Sequence, residues 1–223
     1  MTLGPHHFRL TLPAAPDAFL EDAELLAACD RRGVMPYWPL LWPGAEPMAR
    51  LVAAADWPSR SVPLRSGPTR PGSVGLSALE IGSGIGLVGL TALAAGLDVT
   101  FSDGHLSAVE LALFNAKQNG WPHAPGLVLD WREPIDRQYD VLLGCEVLYD
   151  LADHGPILRL IDRMLAPGGV CWLGDAGRQT VEAFLPRAKG EGFAVELRDA
   201  QGRSLNGPRV GEFALFILGR PRT

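Results

Sequence analysis

The sequence predicts an α/β fold, a mainly parallel sheet with helices on both faces. Three observations lead there. From Leu76 onward, short apolar runs alternate with helix-length amphipathic stretches, the order that builds parallel sheets through crossovers. The run Leu79-Glu80-Ile81-Gly82-Ser83-Gly84-Ile85-Gly86-Leu87-Val88-Gly89 ends an apolar strand in an acid, then turns through glycines into a helix. The last two strand candidates have no helix between them, so they form an antiparallel pair across Asp199 to Gly211.

Residues 1–57 read as an N-terminal helical extension with a Trp-rich loop. Phe19, Leu20, Ala23, Leu26 and Ala27 recur at helical spacing over 17–32, and Gly33 is a stop. Three prolines within Pro36-Tyr37-Trp38-Pro39-Leu40-Leu41-Trp42-Pro43-Gly44 exclude regular structure there. A second helix over 45–55 places Met48, Leu51 and Val52 on one face. Residues 58–75, rich in Pro, Ser, Gly and Arg, read as a flexible surface loop. The domain proper spans 76–223, with strands at 76–81, 97–102, 126–130, 139–144, 170–174, 193–198 and 212–218. Helices fall at 86–95, 105–119, 154–166 and 178–190.

The composition bounds the function. With 223 residues, 47% hydrophobic and 20% charged, the chain supports a full core. A net charge of −5 argues against nucleic acid as the main partner. Lys117 and Lys189 are the only lysines. Cys29, Cys145 and Cys171 are odd in number and lack CxxC spacing, which argues against a disulfide scaffold or a zinc site and fits a reducing cytoplasm. His6 and His7 supply too few ligands for a metal, so none is expected. The start MTLGPHHFRL lacks the regions of a signal peptide, and no run approaches the roughly 20 apolar residues of a membrane span.

In such a sheet, ligands bind beyond the carboxyl ends of the strands. The loop Gly82-Ser83-Gly84-Ile85-Gly86 follows strand one, and a side chain at Gly84 is expected to fill the ligand's path. Glu80 would repel a pyrophosphate and attract an ammonium, and S-adenosylmethionine carries a nucleoside, an ammonium and no phosphate. Asp103 follows strand two, placed to accept both ribose hydroxyls; it equally fits a helix N-cap. Asp130 and Trp131 follow strand three, an acceptor for an adenine amino group and a wall for the base. Cys145-Glu146-Val147-Leu148-Tyr149 follows strand four. The rival is a nicotinamide-dinucleotide enzyme, since Gly84 to Gly89 matches GxGxxG. Counted from Gly82 the third glycine falls on Leu87, and no Tyr-x-x-x-Lys pair is present.

From about residue 36 onward the chain resembles class I S-adenosylmethionine-dependent methyltransferases. It is similar in particular to the seven-β-strand protein lysine methyltransferases, the methyltransferase-like group. That group includes the enzyme acting on the β subunit of electron transfer flavoprotein and its bacterial relatives. The resemblance rests on Tyr37 to Gly44, Leu79 to Gly89, Val109 to Gly120 with Asn115 and Asn119, Asp130-Trp131, and the acid-x-x-Tyr run Glu146 to Tyr149. Glu146 stands where the group often carries Asp. The resemblance implies a Rossmann-like seven-stranded mixed sheet of order 3-2-1-4-5-7-6 with the last strand antiparallel. It implies S-adenosylmethionine as cofactor and S-adenosylhomocysteine as product. Cofactor contacts are expected from Trp42, Glu80, Gly82, Ser83, Gly84, Gly86, Asp103, Asp130, Trp131 and Cys145. Glu146 and Tyr149 are expected to be catalytic. The acceptor is expected to be a protein lysine, with a small-molecule N- or O-acceptor as the alternative and a non-catalytic cofactor-binding protein behind both. A cytoplasmic monomer or weak dimer completes the expectation.

Overall fold

The computed structural model describes residues 1–16, 18, 21, 36–58 and 75–221. The helix expected over 17–32 and the loop over 58–75 fall almost entirely outside them. The chain opens with a small hairpin, β1 (Thr2–Leu3) and β2 (His6–His7), which the sequence reading did not anticipate. Helix α1 (Ala45–Ala54) follows the proline-rich segment. Then come β3 (Ser77–Ile81), α2 (Leu87–Ala94), β4 (Asp98–Asp103), α3 (Leu106–Gln118), β5 (Gly126–Val128) and β6 (Tyr139–Cys145). The chain closes with α4 (His154–Met164), β7 (Leu165–Asp175), α5 (Val181–Gly190), β8 (Ala194–Arg198) and β9 (Ala214–Gly219).

One seven-stranded sheet runs β5-β4-β3-β6-β7-β9-β8. Counted from β3 this is the expected order 3-2-1-4-5-7-6. Strands β5, β4, β3, β6 and β7 are parallel, and β9 inserts antiparallel between β7 and β8. Alternation along each strand sends side chains to opposite faces. Leu79 and Ile81 join Leu142, Ile157, Ile161 and Phe184 on the α4/α5 face. Ala78 joins Val99, Phe101, Val141, Leu143 and the buried residues of α1 and α2 on the other.

Of the boundaries that differ from expectation, among them the start of β7 at Leu165 rather than 170 and of β9 at Ala214 rather than 212, three have local reasons. The helix expected over 154–166 ends at Met164, because Leu165 already pairs with Tyr139 in the sheet. The helix expected from 178 starts at Val181, because the Arg178 N–H donates to Asp175 Oδ1 at 2.8 Å instead of entering a helix. The strand expected to 130 stops at Val128, and Asp130 turns the chain by accepting the Arg132 N–H at 2.9 Å.

The N-terminal segment is tied beside the glycine loop. Asn119 Oδ1 accepts the Arg9 N–H at 2.9 Å and Asn115 Oδ1 the Thr11 N–H at 2.8 Å. The fully buried Asn115 also donates to the Ile85 carbonyl at 2.9 Å. One α3 residue thus buttresses the loop from behind. Among the described residues, no helix is long and apolar enough to cross a membrane.

Candidate active site

The carboxyl ends of β3, β4 and β6 and the turn after β5 open on a solvent-facing cleft of about 840 Å3. Strand β3 lies between β4 and β6, so the chain's crossovers diverge there and leave a crevice. Of the twelve expected site residues, all but Gly86 line it. Gly86 has φ +82°, and a Cβ there would lie 2.9 Å from that of Ala112. Its task is to let the loop enter α2 against α3.

Gly84 has φ +49°, strained for any other residue. A Cβ there would meet the Trp38 carbonyl at 3.1 Å rather than the open cleft. This corrects the expectation of a direct ligand clash: a side chain at Gly84 displaces the aromatic segment that lies over the loop.

Asp103 bridges two backbone turns. Its Oδ2 accepts the Gly84 N–H at 3.1 Å and its Oδ1 the His105 N–H at 3.0 Å. Helix α3 begins after His105 and has no side-chain cap, so Asp103 is not its N-cap. Burial pushes the carboxyl up, and the backbone donors offset this only in part. Glu80 lies 3% exposed beneath the first turn of α2, so close that Gly89 has no room for a Cβ. Burial pushes its carboxyl up to about 8; the Gly89 backbone lowers it and the Asp103 charge raises it further. Glu80 Oε2 and Ser83 Oγ are buried without hydrogen-bond partners among the described residues. Such orphaned atoms beside a cleft are natural anchors for a polar ligand.

Asp130 is less free than expected. Arg132 grips it, with Nη2 to Oδ2 at 2.8 Å and Nε to Oδ1 at 2.9 Å. Burial raises this carboxyl, but the hydrogen bonds from Arg132 outweigh it and hold it below its ordinary value. Any adenine amino group would share Asp130 with Arg132. The Trp131 ring meets Tyr149 edge-on at 6.2 Å, Tyr149 meets Tyr37 at 5.4 Å, and Tyr37 meets Trp42 at 5.8 Å. Four rings therefore form one continuous aromatic wall. Burial pushes up both the Tyr149 phenol and the Cys145 thiol, so both keep their protons at neutral pH.

Glu146 differs most from a free catalytic acid. It has φ +59°, the only positive value among the described non-glycine residues, and is 6% exposed. Its Oε1 accepts the Gly44 N–H at 2.8 Å and the Ala176 N–H at 3.1 Å. Its Oε2 meets the Arg178 guanidinium. Gly44 must be glycine here, since a Cβ would collide with the carboxylate. Sequence reasoning missed Arg178, Asp175, Tyr37 and Trp38. Tyr37 and Trp38 were visible in the proline-rich run. Arg178 carried no signal, being one arginine among many and brought to the site by β7.

Comparison with known proteins accords with this geometry. Residues 79–171 match the family described as a methyltransferase domain. Residues 79–171 are therefore similar to a methyltransferase domain, and the sheet around them has the strand order that the resemblance implies. The chain is 30% identical over 122 residues to a ubiquinone biosynthesis O-methyltransferase of Caulobacter vibrioides, covering 51% of this chain and 46% of the relative. It is 36% identical over 83 residues to a protein N-lysine methyltransferase of Mus musculus, covering 34% of this chain and 38% of that one. The chain therefore spans under half the length of these relatives. A solved glycopeptide N-methyltransferase, MtfA, complexed with S-adenosylmethionine superposes with a TM-score of 0.55 at 15% identity, covering 68% of this chain and 90% of that one. This likeness concerns the fold.

Proposed function

We propose that the domain binds S-adenosylmethionine in the cleft and transfers its methyl group to a lysine amine of another protein. The observation that supports this most is the meeting of two unlike walls in one cleft. One side offers the glycine loop, Asp103, Glu80 and Ser83; the other offers the aromatic wall from Tyr37 to Trp131. The residues fit the cofactor. Asp103 keeps lone pairs beyond its two backbone donors for ribose hydroxyls. Glu80 Oε2 lacks a donor that an ammonium would supply, and Trp131 offers a face to a base.

Bound there, S-adenosylmethionine supplies an activated methyl on a sulfonium. The chain's own residues align the acceptor and exclude water. The amine nitrogen bonds to the methyl carbon as the carbon–sulfur bond breaks, and the amine must first lose its proton. For lysine that costs roughly 4–5 kcal/mol near pH 7. Desolvation against Tyr37, Tyr149 and Trp42 favours the neutral amine. Tyr149, protonated, orients it by hydrogen bonding. Glu146, with both oxygens engaged, serves as a fixed acceptor behind the wall rather than as a proton acceptor.

The test is calorimetric titration with S-adenosylhomocysteine and NADH, followed by labelled S-adenosylmethionine with cell lysate. Binding of the first ligand alone, with label in trans on protein lysines, is expected; this chain has only two lysines of its own. NADH binding without S-adenosylhomocysteine binding would overturn the class of reaction. The O-methyltransferase relative favours a second reading, a small-molecule acceptor, and label confined to small molecules would decide for it. Tyr149→Phe should leave cofactor affinity within about twofold and lower single-turnover rate roughly tenfold, the loss of one neutral hydrogen bond. An unchanged rate would remove Tyr149 from the mechanism.

A further inference from the structure

We propose that Arg178 is a positioning residue: it holds Glu146 as the acceptor for the Gly44 amide and so fixes the aromatic wall over the cleft. Its value for methyl transfer rests on the function proposed above, whereas the clamp itself is read from geometry alone.

The guanidinium of Arg178 stands where three segments meet. It contacts Glu146 at the end of β6, reaches Asp175 Oδ2 at the end of β7 at 3.2 Å, and lies 5.1 Å from the Trp42 ring centre. Glu146 then grips the Gly44 N–H, the last link of the proline-rich run that carries Tyr37, Trp38 and Trp42. The same Glu146 oxygen takes the Ala176 N–H, in the loop that presents Arg178. The wall is thus held at Gly44 by one carboxylate and at Trp42 by one cation. Trp42 adds an internal tie, its indole N–H donating to the Tyr37 carbonyl at 3.0 Å.

A carboxylate buried to this degree stays ionised only with a cation or several donors. Two backbone amides serve Oε1, whereas Oε2 has no hydrogen-bond donor among the described residues and faces only the Arg178 guanidinium, as an ion pair. Without Arg178 the acid would take up a proton more readily, and a neutral carboxyl is a weaker acceptor than a carboxylate. The hold on Gly44 would then depend on pH. The other ionisable groups packed around Glu146 and Arg178 are Asp175, Cys145 and Tyr37. Asp175 keeps two donors of its own, the Gly177 and Arg178 amides at 2.8 Å each, with His154 on its far side. Lysine is an incomplete substitute, since an ammonium makes point contacts and lacks the planar fork that reaches two carboxylates over a ring.

The test is amide hydrogen exchange at Gly44 and Ala176 by NMR on the full chain without ligand, corrected for the intrinsic pH dependence of exchange, from pH 6 to 8.5. In the wild type, protection of Gly44 should be flat with pH. In Arg178→Met it should fall at least tenfold at pH 6 relative to pH 8.5. Arg178→Lys should restore the flat profile at a lower level. Adding Glu146→Gln to Arg178→Met should abolish the pH dependence, which separates Glu146 from Asp175. Arg178→Gln, neutral and polar, provides the same comparison if the methionine variant does not fold. Gly44 protection that is unchanged at every pH, or a loss of protection indifferent to pH and to Glu146→Gln, overturns the proposal. S-adenosylhomocysteine titration of the same proteins keeps the two readings apart. No binding by the wild type removes the cofactor reading and leaves the clamp. A pH dependence of binding between pH 6 and pH 8.5 that is no steeper in Arg178→Met than in the wild type overturns the clamp's bearing on the site.

Discussion

Replacing Asp103 with alanine is expected to weaken S-adenosylhomocysteine binding by about 30- to 1000-fold, a loss of roughly 2–4 kcal/mol. Two effects add. The ribose loses a charged acceptor, and the glycine loop loses the carboxylate that receives the Gly84 N–H. Asp103→Asn separates them. A single carbonyl oxygen can accept from Gly84 or from His105 but poorly from both, so a smaller loss is expected. Calorimetry on both variants, with circular dichroism to show that each is folded, reads the effect directly. Alanine at 103 with wild-type affinity in a folded protein would remove Asp103 from the binding site.

The chain declares part of its fold in its sequence and conceals the rest. Period-two and helical apolar patterns declared every strand of the large sheet, because burial on alternating faces leaves a regular trace. The glycine loop was legible because positive φ at Gly82, Gly84 and Gly86 restricts the residue type. Hairpin β1–β2 was concealed, since two-residue strands leave no period to count. At the site, position was legible and engagement was not. Asp130, Glu146 and Asp103 all reach the cleft as read from the strand ends. That Arg132 grips Asp130 and Arg178 grips Glu146 depends on side-chain directions in three dimensions. Arg132 is a near neighbour of its acid in sequence, so that pairing was within reach of pattern reasoning. Arg178 lies 32 positions from Glu146 and arrives through the parallel β6–β7 pair, which sequence spacing does not encode.

Glu80 gives the cleft a proton balance that should be visible in both binding and stability. With its carboxyl pushed up to about 8 by burial, the free protein carries this acid largely protonated at neutral pH. An ammonium beside Oε2 favours the carboxylate, so binding S-adenosylhomocysteine should release a proton. Affinity should then rise with pH by up to about tenfold per unit on the acid side of pH 8, levelling off or falling once the ligand's own amine deprotonates. Glu80→Gln should flatten that rise while leaving affinity at pH 6 close to wild type, since a neutral amide replaces a neutral acid. Asp103, also raised by burial, faces Glu80 and is present in both proteins. Stability has the opposite slope in the free protein. The folded value lies above the unfolded reference of 4.5, so the folded state holds the extra proton between these limits. The stability this proton confers is complete below about 4.5 and is lost as pH rises through about 8. Thermal melts of the free chain from pH 5.5 to 8 should show wild type losing ground to Glu80→Gln, and saturating S-adenosylhomocysteine should erase much of the difference. Parallel pH profiles for the two proteins, in melts and in titrations alike, would show that Glu80 neither meets the ammonium nor changes protonation on binding.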